Sequence, residues 1–122
     1  MGLDLTIFPL SGPQEVGSTS VFVSDKLRFD RDYEVFGQLI KIDDKEPVIK
    51  THPLPPQMWV HVYGEEGLRR TREDSYGSEL TFVYAQQLKR LKLPQDVSSY
   101  NKAIKAFIDA LPDDIPFILW WS

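Results

Sequence analysis

The chain contains no cysteine. Disulfides, thiolate catalysis and thiolate metal sites are therefore excluded. It has two histidines, His52 and His61, and neither stands in a His-x-Glu or His-Glu-x-x-His pattern. The sequence thus recommends no metal and no cofactor. Long apolar runs are missing as well. None approaches the roughly 18 to 20 residues that a membrane span needs, and the N-terminus lacks the basic region and cleavage site of a secretory signal. The expectation is a cytoplasmic protein with no membrane partner. No Gly-rich phosphate loop is present, because Gly64 and Gly67 are not followed by Gly-Lys-Ser/Thr. No serine sits in a Gly-x-Ser-x-Gly setting. The carboxylate pairs Asp43/Asp44 and Asp113/Asp114 are adjacent in turn-like contexts. They read as caps and solvating charges rather than a general acid and base. Nothing in the chain names a catalytic residue.

What is present describes an ordinary globular chain. Its 122 residues are 42% hydrophobic, 12% aromatic and 26% charged, which suits one domain, 1–122, with enough burial to offset chain entropy. The net charge of −4 argues against a general nucleic-acid coat, whose affinity rests on neutralising phosphates. Met1-Gly2-Leu3-Asp4-Leu5-Thr6 matches the loose N-myristoylation pattern. The alternation of Leu3, Leu5 and Ile7 favours a strand there instead.

Along the chain, Leu3 to Pro9 predicts a first strand, and Ser18 to Val23 a second that is short or at an edge. Asp30 or Asp32 is placed to cap a short helix carrying Val35, Phe36, Leu39 and Ile40. Pro47 to Pro56 holds four prolines and predicts an extended connection. Met58 to Tyr63 is a clear strand, with Met58, Val60 and Val62 on one face and Trp59, His61 and Tyr63 on the other. Gly64 to Glu79 reads as a mobile hairpin or loop. Tyr84, Leu88 and Leu91 fall at helical spacing. In the last helix, capped by Asp96, Ser98 or Ser99, the apolar stripe is Tyr100, Ala103, Ile104, Phe107, Ile108 and Leu111, and Asn101, Lys102, Lys105 and Asp109 lie on the wet face. Pro112 and Pro116 then set up a final strand, Phe117 to Trp121. The order predicts an α+β domain, with a mixed or antiparallel sheet and two or three helices packed on one face.

Three constellations stand out. Trp59, His61 and Tyr63 form an aromatic-histidine-aromatic stripe, either a partly buried cluster or the floor of a ring-binding pocket. Arg69, Arg70 and Arg72 offer planar donor forks suited to phosphate or carboxylate, but Glu65, Glu66, Glu73 and Asp74 surround them. Trp120 and Trp121 point to opposite faces of their strand. Either both are covered, one by helices and one by the proline-rich connection or the Gly64 to Glu79 segment, or one indole is left open and marks a contact surface.

The chain also resembles a group of small uncharacterised proteins of bacteriophages and prophages. The resemblance rests on Met1-Gly2-Leu3-Asp4, on the Tyr-Gly-x-x-Leu-x-x-Val-x-Ala-x-x-Leu block from Tyr76 to Leu88, and on Asn101 to Trp121 with its Leu-Pro turn. It implies a viral accessory protein in a bacterial cytosol and carries over no catalytic residue. The terminal Trp121-Ser122 departs from the His-ending form of that pattern.

The function expected on these grounds is a non-catalytic interaction module, an accessory or inhibitor protein of phage origin with a host protein as partner. Its surface would combine the Gly64 to Glu79 segment with Trp59, His61, Tyr76 and a C-terminal tryptophan. An alternative is a small-ligand or nucleotide binder, with a base stacked on Trp59 or Tyr63 and phosphates on Arg69, Arg70 or Arg72. A further alternative, a weak hydrolase, requires His61 beside a carboxylate in a deep pocket.

Overall fold

The computed structural model describes residues 2–23 and 25–122. Met1, the first residue of the Met-Gly-Leu-Asp opening, lies outside them.

The apolar C-terminal run becomes the middle of a sheet. Strand β1 (Leu5–Pro9) pairs on one side with β3 (Leu27–Arg28), after β2 (Ser20–Phe22) has left for a second sheet. On its other side β1 pairs with β8 (Pro116–Trp121). Strand β8 pairs in turn with β7 (Thr81–Tyr84), and β7 with the short edge strand β4 (His52–Pro53). All four pairings are antiparallel, in the order β3-β1-β8-β7-β4. A central strand covered on both faces has no wet side. This is why β8 reads as a near-continuous apolar run rather than an alternating one.

Phe117, Leu119 and Trp121 face a core shared with Leu5, Ile7, Val83 and the helices α1 (Tyr33–Phe36), α2 (Ala85–Leu88) and α3 (Ser99–Asp109). The opposite face is covered by a second, three-stranded sheet. There β5 (Trp59–Gly64) lies between β2, parallel to it, and β6 (Gly67–Thr71), antiparallel to it. Val21, Val23, Met58, Val60 and Val62 of this layer meet Phe8, Phe82 and Ile118 of the main sheet. The molecule is therefore α+β in three layers: helices, a five-stranded antiparallel sheet, and a small mixed sheet. One sheet was expected from the sequence, and there are two.

Caps and turns locate the element ends. Asp32 caps α1, accepting from the Glu34 and Val35 N–H groups, and Ser98 caps α3, accepting from the Asn101 N–H. Helix α1 ends at Gly37 and so stops short of Leu39 and Ile40. Helix α2 is shorter than the Tyr84 to Leu91 periodicity suggests, because Tyr84 is still part of β7. Asp43 and Asp44 both adopt left-handed backbone (φ 52° and 61°) between the bridged Ile42 and Lys45. They make a tight hairpin turn, a conformation that Asp tolerates better than most residues.

The expected wet face of α3 needs correction. Asn101 is buried; its side-chain oxygen accepts from the Asp30 N–H (2.8 Å), and its amide donates to the Asp30 carbonyl (3.0 Å). Tyr100, Ala103 and Phe107 are exposed instead. At about 100° per residue, the buried arc through Asn101, Ile104 and Ile108 is rotated roughly 60° from the centre of the apolar stripe. Periodicity locates a stripe, but the neighbouring backbone decides which edge of it is covered. No helix among the described residues is long and apolar enough to cross a membrane.

Candidate binding surface

The small sheet buries one face and leaves the other open, and strand alternation sorts its residues cleanly. Met58, just before β5, and Val60 and Val62 within it point to the core, while Trp59 and His61 are half-buried and Tyr63 is 75% exposed on the outer face. On β2 Val21 is buried, as is Val23 just after it, and Phe22 stands out at 64% exposed. The register places Ser20 beside Trp59, Phe22 beside His61, Arg70 beside His61 on its other flank, and Leu68 beside Tyr63.

These neighbours form defined contacts. Phe22 stacks on His61 (centroids 4.3 Å apart, planes 16° apart), and the Arg70 guanidinium lies over the Trp59 ring, 4.5 Å from its centroid. Both are favourable arrangements of a ring with its neighbour. His61 Nε2 is 3.2 Å from Ser20 Oγ. The result is a continuous outer surface of Phe22, Trp59, His61, Tyr63, Leu68 and Arg70. Phe22 and Leu68 were not singled out from the sequence. The signal for Phe22 was available: between Val21 and Val23, it alone has the opposite strand parity.

The three arginines do not meet at one point, although Arg70 and Arg72 both border a cleft with Trp59, Glu73 and Glu79. Arg70 is on the open face. Arg69, one residue away, points to the other side, where it lines a small cleft with Phe8 and Trp120. Arg72 is occupied by the fold. Its guanidinium donates to the carbonyls of Leu54, Pro55 and Met58 and pairs with Glu79 at 2.8 Å. It clamps the proline-rich connection to the end of the hairpin, and a single planar fork is suited to several acceptors at once. Of the hairpin or loop expected, Gly64 to Glu79 holds the hairpin, the β5–β6 reversal with strand β6, followed by a tight turn.

Of the terminal tryptophans, Trp121 is buried and Trp120 is partly covered. Trp121 is buried on the helix side, edge-on to Phe36 (5.6 Å between centroids). Trp120 packs on the small-sheet side, edge-on to Phe8, and its Nε1 donates to Ser75 Oγ at 3.0 Å. Tyr76 lies on the turn after β6, with its hydroxyl donating to the Gly2 carbonyl at 2.8 Å. The surface expected from the sequence therefore divides. Trp59, His61, Tyr63 and Arg70 stand on one face, with Arg72 at its edge in a cleft beside Trp59 and Arg70; Arg69 and Trp120 line a second cleft that Tyr63 borders, and Tyr76 and Trp121 line a third.

The second histidine is structural. Gln87, buried, donates to the Lys50 carbonyl (2.7 Å) and accepts from the Tyr84 N–H (3.0 Å). Its oxygen is thereby an acceptor, so His52 Nε2, 2.9 Å away, carries the proton. Among the described residues, no group of three or more His, Asp or Glu side chains is placed to hold a metal ion. No protein-family model, curated protein or solved structure matches this chain.

Proposed function

We propose that the protein is a non-catalytic binding module that docks a protein partner on the open face of the small sheet. The observation that carries this reading is the row of side chains standing in solvent there: Phe22, Tyr63 and Leu68 are 64%, 75% and 48% exposed. Such exposure belongs to a raised, broad surface. Small-ligand sites are concave and bury most of what they hold, whereas protein interfaces gather Trp, Tyr, Phe and Arg at a centre poor in Lys, Asp and Glu, with charge at the rim. The strand positions of this face carry none of those three residue types, and Glu65, Glu66 and Glu73 flank it in sequence. Arg70 and Arg72 border one cleft with Trp59, but Arg72 is taken up by Glu79 and three carbonyls and Arg69 faces away, which weighs against a shared phosphate clamp for a nucleotide. His61, stacked under Phe22 on an open face, gives no support to a hydrolase.

The resemblance to bacteriophage and prophage proteins makes a host protein of the bacterial cytosol the partner of choice. The test is capture from a bacterial lysate by the intact chain, run beside Tyr63→Ala and Phe22→Ala. A partner retained by the parent and weakened at least about 30-fold by the variants, as loss of a hot-spot residue requires, supports the reading, provided the variants melt as the parent does. Equal capture by parent and variants overturns it. So does a rise in melting temperature with nucleotides that the same substitutions abolish.

A further inference from the structure

On the helix side of the main sheet, away from the aromatic face, the chain forms a cleft of about 450 Å³. We infer that it binds a small organic cation, an ammonium group carried on an apolar or aromatic body. The floor supplies the apolar contact. Leu39 and Trp121 are buried beneath it, and Leu3 and Ile40 pack on the same core while keeping part of their surface open.

The wall is one tight turn contributing Asp74, Tyr76, Ser78 and Glu79. Its charges have one sign: the lining carries these two carboxylates and neither lysine nor arginine among the described residues. Glu79 shares its charge with Arg72 at 2.8 Å, whereas Asp74 forms no ion pair among the described residues. One Asp74 oxygen accepts from the Tyr76 and Ser78 N–H groups (2.9 and 3.1 Å), which holds the carboxylate in place at the rim. Tyr76, half-exposed, adds an aromatic ring whose negative face attracts cations. An apolar floor, an aromatic ring and an excess carboxylate together select a cation over an anion or a neutral ring.

The cleft is already formed. The turn is tied to both ends of the described chain: the Ser75 N–H donates to the Trp121 carbonyl (3.2 Å), Trp120 Nε1 to Ser75 Oγ (3.0 Å) and the Tyr76 hydroxyl to the Gly2 carbonyl (2.8 Å). Across its base, Glu73 bridges Glu79, and Gly77 takes the positive φ of 79° that the reversal needs. A wall so held loses little freedom on binding.

The probe is 2-phenylethylammonium, compared with phenylacetate and 2-phenylethanol, which carry the same ring with negative or no charge. Titration followed by amide NMR is expected to move the signals of Thr51, Tyr76 and Ser78 with the ammonium, and to leave them in place with phenylacetate at the same concentration. Asp74→Asn retains the oxygen that accepts from the turn, and it should weaken the ammonium by about tenfold. Thr51→Arg, at the half-buried rim, should abolish binding by filling the cleft and repelling the cation, with melting unchanged. Tyr63→Ala should have no effect, which separates this site from the partner face. Absence of any movement with the ammonium overturns the inference. Equal binding of all three probes, or an Asp74→Asn protein that binds as the parent does, overturns it as well.

Discussion

Arg69, Arg70 and Arg72 are one residue type within four positions, yet they serve three purposes. Arg70 covers Trp59 on the open face, Arg69 borders a cleft by Trp120, and Arg72 ties carbonyls of the proline-rich connection. The separation of the first two follows from β6, since neighbours on a strand point apart, but the segment reads in sequence only as a hairpin or loop. The role of Arg72 was not, because its acceptors lie at Leu54, Pro55 and Met58, and no local pattern in the sequence brings them near. Asp4 is a similar case. It sits in a run that reads simply as a strand, yet it accepts from Arg31 (2.8 and 3.1 Å) and Arg28 (3.1 Å). The hydrogen bond from Arg31 is the main cause that holds its carboxyl below the ordinary 3.8, with Arg28 adding to it. A depressed folded-state pKa stabilises the fold above the ordinary value, and that stability is lost as pH falls through the depressed value. Asp4→Asn should therefore melt below the parent at neutral pH, with the gap constant down to about pH 5 and narrowing below about pH 4. Melting curves of the two proteins across this range check the sign; a gap that widens on acidification contradicts it.

Among the elements, β5 was the most readable. Its two-residue alternation over Met58 to Tyr63 separates core from surface without knowledge of the partner strands. Helix α3 was readable in position and cap but not in rotation. Its stripe has two edges, Tyr100–Ala103–Phe107 and Ile104–Ile108, and the fold buries only the second. The deciding contact is Asn101 on the Asp30 backbone, across 71 positions of sequence. Asn101→Ala should leave the part-buried Asp30 N–H and carbonyl without their partner, at a cost of about 1 kcal/mol or more. Urea unfolding of the variant measures this. A loss under about 0.5 kcal/mol, the range of ordinary surface substitutions, would mean that the helix is held by Ile104 and Ile108 alone.

At the scale of the whole molecule, the C-terminal strand is what the rest is built around. β8 pairs along its length with β1 and with β7, and its side chains enter both cores. Phe117, Ile118, Leu119 and Trp121 are all buried, and at roughly 1.5–3 kcal/mol each their loss matches the whole stability of a typical domain, about 5–15 kcal/mol. A chain ending at Pro112 should show no cooperative melting transition by circular dichroism. A truncated protein that melts at the temperature of the intact one would remove β8 from its central role. The sequence by itself determined the α+β class, the strands β1, β2, β5 and β8, the position of α3 and the outward set Trp59, His61 and Tyr63, because periodicity and turn chemistry are local. Only the tertiary structure decided that there are two sheets rather than one, that Phe22, Leu68 and Arg70 complete the exposed row, that Arg72 and Asn101 are fasteners, and that both ends of the described chain meet the Asp74 to Glu79 turn around a cleft. These depend on which backbone carbonyls and strand edges lie side by side, and such distant pairings leave no periodic trace in a single chain.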